Sequence, residues 1–168
     1  KAAAQYAGGD IEGALATYQA MIDYDEENGN AYYLHGCLSL KQQDTDTAKK
    51  DFANAVKYNP DDYELYVGIY ENLAGNNMTE EGEEYLNKAF DIKGNSAENL
   101  TWRGRIYYLL GQYDNAVKEL EGAVKKDSAK ANLYLAQVYE AEEDSANAEK
   151  YYQAYVDSGT ADSVAMNA

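Results

Sequence analysis

The sequence predicts an all-α chain, a solenoid of antiparallel helix pairs with about five repeated units, the first incomplete. Three observations predict it. Ala14, Ala48, Gly82 and Ala116 lie 34 residues apart, and Ala148 follows after 32. A bulky residue keeps step with them at Tyr18, Phe52, Leu86, Leu120 and Tyr152, and a second small residue at Ala55, Ala89 and Ala123. Between these marks the apolar residues recur with helical rather than alternating spacing. A period of this length means stacked supersecondary units, each touching only its neighbours.

The elements follow in order. The first unit keeps only the tail of its first helix, Lys1 to Tyr6, and a complete second helix from Ile11 to Asp23. In the second unit, Tyr32, Gly36, Ser39 and Leu40 mark a helix from about Asn30 to Gln42. Gln43-Asp44 turns the chain, and a partner helix runs from Thr45 to Tyr58 with Ala48, Phe52, Ala55 and Val56 on one face. Asn59-Pro60-Asp61-Asp62 ends it, because proline cannot continue a helix. The third, fourth and fifth units start near Tyr63, Ala97 and Ala129. Asp10, Asp44 and Asp144 stand where an N-cap oxygen is needed. Glu12, Asp46, Glu80 and Asp114 fall in the first turn, where the helix dipole favours negative charge. The repeat domain spans residues 1–160; residues 161–168 form a tail or open a further helix.

Small residues mark where paired helices cross: Gly36, Gly104 and Ala136 on first helices, Ala48, Ala116 and Ala148 on second ones. The third unit departs, with Tyr70 in the first-helix slot and Gly82 where alanine is usual. The expectation is that the missing methyl makes room for the ring.

The totals bound function. The formal charge of −16 argues against nucleic acid and against anionic membrane surfaces, both of which need clustered Lys and Arg. The acidity either keeps an extended surface soluble or attracts a basic partner. No apolar run approaches the roughly 18 residues of a membrane span, so no direct membrane insertion is expected. The chain opens at Lys1, inside a repeat. That suggests a removed export signal or lipoprotein-like anchor, or a fragment of a larger protein, and an extracytoplasmic site is favoured over a cytoplasmic one. The single histidine and cysteine, His35 and Cys37, lie on opposite sides of one predicted helix, so they do not form a nucleophile pair or a metal site. Asp23, Asp25, Glu27 and Gly29 miss the spacing of a calcium loop. No catalytic residue, metal site or cofactor is expected.

The slots resemble the tetratricopeptide repeat. The second unit carries Tyr32, Gly36, Ala48, Phe52, Ala55 and Pro60. The fourth carries Leu100, Gly104, Tyr107, Ala116, Leu120 and Ala123, and the fifth Leu135-Ala136, Tyr139, Ala148 and Tyr152. His35 and Arg103 stand where the family has leucine, and Asn132 replaces a large residue. The resemblance implies a right-handed solenoid, no enzymatic activity, and a concave face of first helices that holds a protein or peptide.

On that face, helical spacing selects Tyr33, Cys37 and Lys41 in the second unit, Val67 and Glu71 in the third, Thr101, Arg105 and Tyr108 in the fourth, and Gln137 in the fifth. Trp102-Arg103-Gly104-Arg105, followed by Tyr107-Tyr108, concentrates the residue types that dominate interface hot spots. Arg105 and Tyr108, three apart, are predicted to share a face. The carboxylate clamp of chaperone-binding relatives is not rebuilt, because Tyr33 and Cys37 occupy its lysine and asparagine places. The alternatives are self-association through the solenoid ends and an extracytoplasmic carbohydrate surface built on Trp102 and tyrosines.

Overall fold

The computed structural model describes residues 1–159. The expected tail at 161–168 lies outside them. The described residues contain ten α-helices and no strand, and they fall into two compact units.

The first unit, Lys1–Ile92, holds α1 (Ala2–Ala7), α2 (Ile11–Tyr24), α3 (Gly29–Lys41), α4 (Thr45–Tyr58), α5 (Tyr63–Ala74) and α6 (Thr79–Ala89). The second begins at Lys93 and holds α7 (Ala97–Leu109), α8 (Tyr113–Val124), α9 (Ala129–Ala141) and α10 (Ser145–Asp157). Both are runs of helix pairs, α1–α2, α3–α4 and α5–α6 in one, α7–α8 and α9–α10 in the other. The starts at Thr45, Tyr63, Ala97 and Ala129 fall where the sequence places them; α3 begins and ends one residue early.

Local chemistry repeats with the period. Asp10, Asp44 and Asp144 cap their helices, accepting from the amides of Gly13 (2.9 Å), Thr47 (3.1 Å) and Asn147 (3.1 Å). The first helices are capped too, by Asn28, Asp62, Ser96 and Ser128, which the sequence reading does not single out. Inside each pair the chain reverses through one left-handed residue: Gly9 (φ 82°), Gln43 (65°), Asn77 (62°), Gly111 (70°) and Glu143 (61°). The amide after it reaches back five residues, as in Asp44 N–H to the Ser39 carbonyl (2.9 Å) and Gln112 N–H to the Tyr107 carbonyl (2.8 Å). This is the six-to-one bond of a Schellman motif. It fixes the reversal even where the residue is not glycine.

Packing then fills the crossings. In the first unit Phe52 is fully buried among Leu40, Ala48, Ala55, Leu65, Ile69 and Leu73. A Cβ on Gly36 would lie 3.0 Å from the Phe52 ring. In the second unit Leu120 and Leu135 anchor a cluster with Ala116, Ala123 and Val138, and a Cβ on Gly104 would come within 2.4 Å of Leu120 Cγ. The α5–α6 crossing behaves as expected: a Cβ on Gly82 would meet Tyr70 Cδ2 at 3.0 Å and its Cα at 3.3 Å. Two of the three nearest atoms belong to the Tyr70 backbone rather than to a side-chain tip, so Gly82→Leu is expected to destabilise the protein by about 1–2 kcal/mol. A denaturation midpoint equal to the parent's would remove this account.

The two departures from leucine have a common cause. His35 Nδ1 donates to Asp51 Oδ2 at 2.6 Å. Arg103 donates from Nε and Nη2 to Glu119 Oε2 at 3.0 and 2.9 Å. In both pairs the acid lies 16 residues downstream, on the facing helix. The intervening and following units put Ile69 with Tyr85 and Leu135 with Tyr151 at these two positions, and each tyrosine packs on the cluster that holds its partner. One crossing position thus alternates between a hydrogen-bonded polar pair and a largely apolar pair.

Lys1 is equivalent to His35 and Ala2 to Gly36, 34 residues apart. Tyr58 is stacked by Tyr32, with centroids 5.9 Å apart and planes at 15°. Its counterpart Tyr24 is 94% exposed. Met21 and Tyr24 line an open cleft of about 500 Å³ with Thr17, Ala20, Asp25 and Asn28.

Candidate functional site

The first-helix face of the first unit carries a cleft of about 360 Å³ between α1, α2, α3 and α5. Tyr33, Cys37 and Lys41, one helical stripe of α3, line it together with Tyr6, Tyr18, Leu34, Leu38 and Asn72. Each wall has a local cause. The Tyr33 ring rests against Phe52 at 6.2 Å. Its hydroxyl accepts from Asn72 Nδ2 at 3.4 Å and lies beside the Cys37 thiol. Asn72 is itself fixed by a 2.8 Å bond to the Gly68 carbonyl. A Cβ on Gly68 would lie 2.6 Å from the Tyr33 hydroxyl, so a side chain there would displace the tip of the Tyr33 ring.

Burial pushes the Cys37 thiol up to about 11, against smaller opposing effects of the Tyr33 hydrogen bond and Lys41. It is a neutral, weakly polar wall near pH 7. Burial also raises Tyr33, with Cys37 and Glu71 adding to the shift. Lys41 lies across the Tyr6 ring, its ammonium 4.5 Å from the centroid, and donates to the Tyr6 hydroxyl. Lys41 is the one charged residue among those lining the cleft. Of the third unit's residues on this face, Glu71 is exposed and Val67 is buried, 2% exposed.

The second unit carries a cation–aromatic cluster. The Arg105 guanidinium sits 5.6 Å from the Trp102 ring and 5.3 Å from the Tyr134 ring, and Nη1 donates to the Tyr134 hydroxyl at 3.0 Å. Lys130 Nζ lies 5.0 Å from the Trp102 centroid. Arg103 points elsewhere: besides Glu119 it binds the Gly94 carbonyl (2.7 Å) and Asn95 Oδ1 (2.9 Å). The tryptophan–arginine run therefore divides, with Arg103 tied to the α7–α8 side and Trp102 and Arg105 turned to α9. Tyr108 packs near the Tyr113 ring at 6.0 Å, and Gln137 is half-buried on α9. Thr101 is buried, 4% exposed. Its hydroxyl bonds the Ala97 carbonyl (2.7 Å) and Ser128 Oγ (2.8 Å), linking α7 to the cap of α9.

Helical spacing thus brings Tyr33, Cys37 and Lys41 to one cavity and places Arg105 in a second cluster. It turns Val67 and Thr101 into the packing. Tyr6, Leu34, Asn72 and Tyr134 escape the sequence reading. Tyr6 carried a signal, being 34 residues before Leu40. Asn72 and Tyr134 carried none, because their places depend on how neighbouring pairs meet. Among the described residues no group of three or more His, Cys, Asp or Glu side chains could hold a metal, and no helix is long and apolar enough to cross a membrane.

Comparison with solved structures places this fold among known ones. PilW, described as a widely conserved type IV pilus biogenesis factor, is 20% identical with a TM-score of 0.60, over 94% of this chain and 74% of that one. A thermophilic tetratricopeptide protein of Thermus thermophilus is 22% identical with a TM-score of 0.58, over 96% and 89%. YrrB, described as a tetratricopeptide protein with an unusual peptide-binding site, is 21% identical with a TM-score of 0.53, over 94% and 82%. No curated protein matches the sequence. Tetratricopeptide-repeat signatures match residues 29–62 and 103–163, together more than half of the chain. With the 34-residue register, the bare crossings and the Schellman reversal in every pair, the chain belongs to the tetratricopeptide-repeat family.

Proposed function

We propose that this protein is a non-catalytic scaffold that holds a peptide or protein segment against its first helices. The observation that carries the reading is the convergence of Tyr33, Cys37 and Lys41 on one preformed, largely apolar cleft with a few fixed polar groups, the usual make-up of a binding site. A similar fold in YrrB, a tetratricopeptide protein with a peptide-binding site, supports it. On this reading Tyr33, Cys37 and Lys41 form the anchor. Glu71 lies on the same face of the first unit, and Arg105, Tyr108 and Gln137 offer contacts on the second unit's own first-helix face, while Val67 and Thr101 hold the helices of their respective units. Trp102 gives a carbohydrate surface little support, because Arg105 and Lys130 both lie over its ring.

A photo-crosslinking residue at Leu34, in the cleft wall, tests the reading against one at Ala53, exposed on α4. Incubated with lysate of the source cell, the Leu34 probe is expected to trap a polypeptide that the Ala53 probe does not. Equal trapping at both positions would remove the groove from the account.

One observation favours a second reading, self-association: the exposed Met21 and Tyr24 side chains beside the α2 cleft. On that reading sedimentation velocity finds a concentration-dependent dimer, and Tyr24→Asp abolishes it. A monomer at every concentration rejects it.

A further inference from the structure

We propose that the occupant of the α1–α3–α5 cleft is an acidic peptide segment, in which an apolar side chain fills the cavity and a neighbouring Asp or Glu side chain meets Lys41. This rests on the groove reading above and gives its partner a chemistry.

The argument is one of charge complementarity inside an otherwise apolar site. The protein carries a formal charge of −16, so an acidic ligand meets general repulsion and needs a local exception. The cleft is one. Tyr6, Tyr18, Leu34 and Leu38 give it an apolar floor, and Lys41 is the charged residue among its lining. The lysine is exposed and held over Tyr6, which orders a side chain that would otherwise lose rotamer entropy on binding. Its ammonium has three donors, and the Tyr6 hydroxyl uses one. The cavity volume of about 360 Å³ sits near the lower end of small-ligand sites, which run from about 300 to 1,000 Å³. That is enough for an anchoring side chain and its neighbour.

A chain-terminal carboxylate fits less well. A terminal carboxylate drawn into the cleft would be desolvated against an apolar lining, a cost that one ammonium at the rim does not repay. An acidic side chain at the Lys41 rim stays in water. Glu71, near Tyr33 on α5, sets the opposite sign further along the face, so the acid has to point toward Lys41.

The test uses fluorescein-labelled, C-amidated peptides of sequence Gly-Ser-Phe-Glu-Ser-Gly, the same with Lys for Glu, and the same with Gly for Phe, read by fluorescence polarisation on the full chain. The Phe-Glu peptide is expected to bind roughly fivefold tighter than the Phe-Lys peptide, the upper range for an exposed ion pair, and added salt should erode the difference. Lys41→Arg keeps the preference and Lys41→Glu inverts it. Leu34→Ala weakens both Phe peptides equally, and loss of Phe abolishes binding. If both Phe peptides bind equally and both weaken in Leu34→Ala, the acidic preference falls while the groove reading stands. If no peptide binds to a chain of native helicity and melting temperature, the proposal falls. A preference that persists in Lys41→Glu also overturns it.

Discussion

Phe52→Ala is expected to lower the free energy of unfolding by about 3–5 kcal/mol, the largest loss from any single truncation in the first unit. The ring has no exposure and touches the α3, α4 and α5 contributions to the cluster. The cost is high because the site cannot collapse. The residue opposite is Gly36, which has no side chain to swing into the void. The α3–α4 reversal is locked by the Asp44 cap and the Asp44 N–H to Ser39 bond. Phe52→Leu should cost less than about 1.5 kcal/mol, because leucine fills the same slot at Leu86 and Leu120. Truncation should also cost binding, since the Tyr33 wall rests on this ring. Urea denaturation followed by far-ultraviolet circular dichroism measures the first effect. A loss for Phe52→Ala no greater than for Phe52→Leu would mean the helices close the gap.

The fold was legible because its constraints are small residues at fixed spacing. Gly36, Ala48, Gly104 and Ala116 are bare since backbones approach there, and a requirement for bareness leaves a mark that survives in one sequence. The reversals were less legible. They need a left-handed residue, which Gly9 and Gly111 advertise but Gln43 and Glu143 do not. At those positions the Schellman bonds outweigh the cost of positive φ. The groove was legible only as a stripe. Helical periodicity assigns a face about 100° wide, and within it tertiary packing decides what stays open. So Tyr33 and Lys41 line a cavity, while Val67 and Thr101, equally well placed by spacing, are covered. Asn72 and Tyr134 belong to their clusters through long-range packing, which no spacing rule contains.

His35→Leu should destabilise the protein by about 2–3 kcal/mol, even though leucine is what the family pattern asks for at that position. The reason lies on the facing helix. Asp51 is 7% exposed, and its carboxylate is held by the imidazole 2.6 Å away. Replacing His35 by an alkyl group leaves a desolvated carboxylate against apolar surface, and the penalty is that of the orphaned group rather than the worth of the pair. The neighbouring units show how the same crossing works without charge, with Ile69 and Tyr85 in one and Leu135 and Tyr151 in the other. The double variant His35→Leu, Asp51→Tyr copies that solution. It should return to within about 1 kcal/mol of the parent, giving a favourable coupling of about 2 kcal/mol in a double-mutant cycle. Arg103 and Glu119 should couple in the same sense, because Arg103 spends two of its donors on that carboxylate. A neutral His35→Leu, or additive single and double variants, would mean that Asp51 finds water at this crossing and that the alternation of polar and apolar pairs carries no energetic requirement.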